Sequence, residues 1–83
     1  MILAVPTIHL NGTSKQELLD GYINALDALR EAHKRLAATC PNGRDYYPQG
    51  SEAINVAMQN HEGRMARIKF VMDELQEIAE AIC

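Results

Sequence analysis

Two apolar runs in this chain keep the alternating three- and four-residue step of a heptad seam without a break. The first is Leu19, Tyr22, Leu26, Leu29, His33, Leu36 and Cys40; the second is Ile54, Met58, His61, Met65, Ile68, Met72, Leu75, Ala79 and Ile82. A helix stacks such a run into one stripe, and the stripe must be buried against another helix. The expected fold is all-α, with residues 1–83 forming one antiparallel helical hairpin.

Local signals bound the two helices. Thr13 with Gln16, and Ser14 with Glu17, are overlapping capping boxes that start a helix over 14–39. Pro41 and Gly43 end it, and residues 41–50 read as a loop. Ser51 is the expected cap of a second helix over 51–82, with Glu52 suited to the dipole of its first turn. The helices should measure roughly 39 and 48 Å at 1.5 Å per residue. Folded back about the loop, they set Leu26 near Met65 and Tyr22 near Ile68. Upstream, residues 1–12 read as a short extended segment in which Ile8 and Leu10 alternate with Thr7 and His9 before an Asn11-Gly12 turn. No second strand pattern exists to pair with it, so it lies across the helices or meets its counterpart in another chain. Gly63 inside the second helix costs about 1 kcal/mol against Ala. It marks either a close helix crossing or a tolerated defect.

A lone hairpin leaves one face of each helix wet, and 83 residues bury too little surface to make that comfortable. Ala25, Ala28, Ala32 and Ala37 flank the first seam, and Phe70, Val71, Ile78 and Ala81 form a second apolar edge on the other helix. A second copy is the simplest cover, which predicts a homo-oligomeric helical bundle. The formal charge of −3 argues against a nucleic-acid polymer as partner. No apolar run is long enough to span a bilayer, and the apolar start, interrupted by Pro6 and without a basic leader, is not read as a signal peptide. Cys40 and Cys83 fall at opposite ends of the hairpin, beyond disulfide reach, which fits a reducing cytoplasm. Asp73, Glu74, Glu77 and Glu80 make one end acidic, while Arg30, Lys34, Arg35 and Arg44 gather towards the loop.

Enzyme signatures are missing from the sequence. His61-Glu62-Gly63-Arg64-Met65 begins like a zinc-binding H-E-x-x-H, but Met65 stands where the second histidine belongs. Neither His33 nor His61 has a Glu three residues before it, so the di-iron bundle pattern is absent too. No nucleophile elbow or phosphate-cradling glycine loop is present, and neither catalysis nor a cofactor is expected. The informative stretch is the loop, with Asn42, Arg44, Asp45, Tyr46, Tyr47 and Gln49 as candidate ligand-binding residues. Tyr46 and Tyr47 can stack on a planar ring and Arg44 can fork onto a phosphate, while the first turn of the second helix offers N–H groups to an anion. The competing reading makes the tyrosines a cap on the end of the core, with Arg44 and Asp45 pinning the loop. The two readings are compatible.

The run from Asn42 to Gly50, with Ile8 to Ser14 upstream, resembles small bacteriophage and prophage proteins that share such a loop, over almost the whole chain. More loosely, a short N-terminal piece followed by a helical hairpin is similar to the phage sponge proteins that oligomerise and sequester cyclic-nucleotide or ADP-ribose immune signals. The resemblance implies a non-enzymatic accessory protein of the host cytoplasm that binds a small phosphorylated nucleotide. Its alternative is a protein–protein module, either an inhibitor of a host defence protein or an oligomeric scaffold, using the same loop.

Overall fold

The computed structural model of the chain describes residues 2–83 and is helical throughout its regular parts. Helix α1 covers Lys15–Ala37, α2 Gly43–Tyr46 and α3 Ala53–Ile82, with one 3-10 turn at Tyr47–Gln49 between the last two. Of the two overlapping capping boxes, Ser14 supplies the cap: its Oγ accepts from the Glu17 N–H at 3.2 Å. Gln16 turns instead to Asp20, donating to its carboxylate at 2.7 Å.

The second helix starts later than its expected cap. Ser51 lies in a turn, Glu52 is the N-cap residue, and no side chain fills that role. The backbone of the preceding turn substitutes for it, with Ala53 N–H donating to the Gly50 carbonyl at 3.4 Å. The expected open loop at 41–50 is also replaced, because Asn42 nucleates α2 within it.

Helices α1 and α3 pack together in a long hairpin-like arrangement measuring 62 × 25 × 16 Å. The seams meet as expected, with Leu26, His61 and Ile82 buried and the other seam residues half-buried, apart from the exposed Cys40. Ala57 and Ile78 join the core from beside the second seam. The register differs from a fold about the loop's midpoint. The Cys40 thiol lies 3.9 Å from Met58 Sδ, and Leu19, Ile23 and Leu26 share a groove with Ala79, Glu80 and Cys83. Leu26 thus shares its groove with Gln76 and Ala79, roughly three to four turns further along α3 than Met65. The cause is the connection: α2 and the 3-10 turn pack against α3, so its first turns run past the end of α1. The cysteines are unbonded, one near each end.

Residues 2–12 form no helix or strand. The expected turn is present, with Gly12 N–H donating to the His9 carbonyl at 3.2 Å. Leu3 is half-buried in a cleft with Phe70, Asp73, Glu74 and Glu77, so the segment lies against α3. Gly63 marks no close crossing: a methyl group there would meet nothing nearer than the flexible end of Arg67, at 3.4 Å. No described helix is long and apolar enough to cross a membrane.

Candidate functional site

Pro41 cannot prolong α1, and the next residue begins a new capping event. The Asn42 side chain accepts from the Arg44 N–H at 3.0 Å and its carbonyl accepts from the Asp45 N–H at 3.0 Å. An Asx cap of this kind starts a helical turn where a flexible loop would otherwise run. Pro48 then favours the 3-10 turn, and Gly50 N–H closes it on the Tyr47 carbonyl at 3.3 Å. Gly50 leaves at φ 107 and ψ 166. That region is essentially open to glycine alone, so the exit direction towards α3 depends on this residue.

The result is a folded elbow with Tyr46 at its centre. Tyr46 is half-buried and lines two clefts. The first, about 210 Å³, is shared with Gly43, Tyr47, Gly50, Ser51 and Ile54 and is mainly apolar. The second, about 360 Å³, lies between the elbow and α3. Tyr46 and Gln49 form its elbow side, Ala53, Val56 and Ala57 its apolar part, and Asn60 and Arg64 its polar part. Tyr47 is 84% exposed, so its ring is presented to solvent rather than capping the core.

The candidate residues therefore separate. Tyr46, Tyr47 and Gln49 line the clefts; Asn42, Arg44 and Asp45 line neither. The Asn42 side chain is engaged in the backbone cap, and Arg44 and Asp45 are exposed on α2. Neither belongs to an ion pair among the described residues, where the pairs are Arg30–Asp27 at 3.2 Å, Arg35–Glu31 at 2.9 Å and Lys69–Asp73. Two of the four cations expected to make the loop end electropositive are thus already matched on α1 by Asp27 and Glu31. The expected anion site at the start of α3 is also largely occupied. Ala53 N–H is bonded to Gly50, Asn55 and Val56 N–H to the Glu52 carbonyl, and the Glu52 carboxylate accepts from Asn55 Nδ2 at 3.2 Å. The Glu52 carboxylate caps no backbone N–H, but its negative charge beside this turn would oppose a phosphate there.

Two residues of the second cleft went unnoticed in the sequence, Asn60 and Arg64. Their signal was the stripe Ala53, Ala57, Asn60, Arg64, which follows the seam one residue behind it. Small residues at its start make room for the elbow, and the polar pair continues along the same face. The cleft combines a planar phenol, an apolar surface, two amides and a guanidinium. Such a set can stack a flat ring and hold an anionic group at its edge. Among the described residues, no three His, Cys, Asp or Glu side chains are placed to share a metal ion. No protein-family model, curated protein or solved structure matches the chain.

Proposed function

We propose that the chain is a non-enzymatic, phage-type accessory protein that binds and sequesters a small phosphorylated nucleotide, working as a homo-oligomer of antiparallel hairpins. One observation carries the ligand reading: Tyr46 lines a single cleft together with Gln49, Asn60 and Arg64. The base would stack on Tyr46 against Ala57 and Val56, Gln49 and Asn60 would reach its edge, and Arg64 would fork onto the phosphate. Arg44, exposed on α2, would add charge from outside the cleft.

Self-association is supported by area. The chain exposes 6252 Å², whereas a compact monomer of 9.2 kDa exposes about 4,900 Å² by the mass scaling of folded proteins. Its radius of gyration is 18.3 Å, against about 12 Å for a compact chain of this length.

Thermal shift and calorimetry with cyclic dinucleotides, cyclic trinucleotides and ADP-ribose variants test the ligand. Binding by the parent should weaken by about 1–3 kcal/mol in Tyr46→Ala, the worth of one stacked base. Arg64→Ala should lower both affinity and salt dependence, Arg64→Lys should restore part, and Arg44→Ala should matter less. A parent that ignores every nucleotide, or an Arg64→Ala variant that binds normally, overturns the reading.

The exposure of Tyr47 (84%) and Val56 (55%) favours a second reading, a docking module for a host protein. It predicts that Tyr47→Ala folds normally and loses a co-purifying partner while no nucleotide shifts the parent's melt.

A further inference from the structure

The end of the hairpin away from the tyrosines carries a shallow, open groove of about 270 Å³ between α1 and α3. Leu26 is buried in it, Leu19 and Ala79 are half-buried, and Ile23 is 48% exposed. Arg30 from α1 and Glu80 from α3 also line it, both exposed. Arg30 uses Nη1 on Asp27, leaving its other guanidinium N–H groups available, and the Glu80 carboxylate accepts from Gln76 Nε2 at 3.1 Å.

We infer that this groove is the interface for a second copy of the chain, joined about a twofold axis with Ile23 packed into the partner's groove. This rests on the self-association proposed above and names its surface. A twofold interface places the same patch on both sides, so a patch bearing one cation and one carboxylate is complementary to itself. Arg30 of each copy would meet Glu80 of the partner subunit, giving two charge pairs around an apolar centre. The chain as a whole exposes roughly 1,300 Å² beyond a compact monomer, more than the ~800 Å² per partner that a stable interface buries, and this groove holds part of that apolar surface.

Complementation between charge-reversed chains tests the pairing, because it cannot arise within one chain. Arg30→Glu alone and Glu80→Arg alone should each raise the dissociation constant by about tenfold or more, read by analytical ultracentrifugation. Mixing the two folded variants should restore the parent affinity, since the heterodimer carries one native pair and one with its signs exchanged. Ile23→Lys, a change at an exposed position, should weaken association without loss of helical circular dichroism, and serves if a charge reversal fails to fold. A parent oligomer unaffected by any of these variants overturns this surface and leaves self-association standing. Failure of the mixture to recover also overturns it. A monomeric parent overturns both.

Discussion

Tyr46 and Tyr47 are neighbours in sequence with opposite circumstances. Tyr46 lines both clefts, so Tyr46→Ala should cost about 2 kcal/mol of stability, part of what full burial of an aromatic contributes. Tyr47→Ala should stay within about 0.5 kcal/mol, as is usual for exposed positions. Urea titration of the two variants measures the difference, and equal losses would show that both rings cap the core. Gly50 has no atom within 4 Å of the place a Cβ would take, so its value is entirely in its backbone. At φ 107 and ψ 166, Gly50→Ala and Gly50→Asn should both cost on the order of 1–3 kcal/mol. An ordinary left-handed turn would instead be relieved by Asn. Gly12→Ala has the reverse cause and a small effect, since its methyl would meet only the movable His9 ring, at 2.6 Å.

At the level of helices, the caps make an opposed pair of expectations. Ser14→Ala should cost about 1 kcal/mol, while Ser51→Ala should be close to neutral because Ser51 stands outside the cap of α3. Gly21 and Gly63 sit in helices with room for a methyl group. Each Gly→Ala change should raise stability by about 0.5–1 kcal/mol. A loss at either position would locate a close approach by another copy. The seams and α1 were legible because a heptad stripe is a property of spacing, which the sequence carries directly. The site was legible in part. Of the expected binding residues Tyr46, Tyr47 and Gln49 line the clefts and Arg44 does not, whereas Arg64, not among them, does. Reading that exchange required the register, and the register is set by how Asn42 and Gly50 fold the connection onto α3. Cap geometry at Ser51 was obscured for a similar reason: the carbonyl that replaces its hydroxyl belongs to a turn with no sequence period.

For the molecule as a whole, self-association predicts that the melting temperature rises with protein concentration. Leu26→Asp should abolish folding altogether, because Leu26 is buried in the seam and a charge there would have no partner. Light scattering and melts across a hundredfold dilution check the first expectation, and circular dichroism the second. The slab's thinnest dimension, 16 Å, has a further consequence, because among the described residues no side chain is fully buried. Helices form in about a microsecond, but subunits meet at a rate set by their number. On the proposed self-association, each chain lacks a partner to cover its apolar surface while copies are few, and stays open to proteases and chaperones. Its lifetime in a cell should therefore lengthen as it accumulates, so that doubling synthesis more than doubles the standing amount.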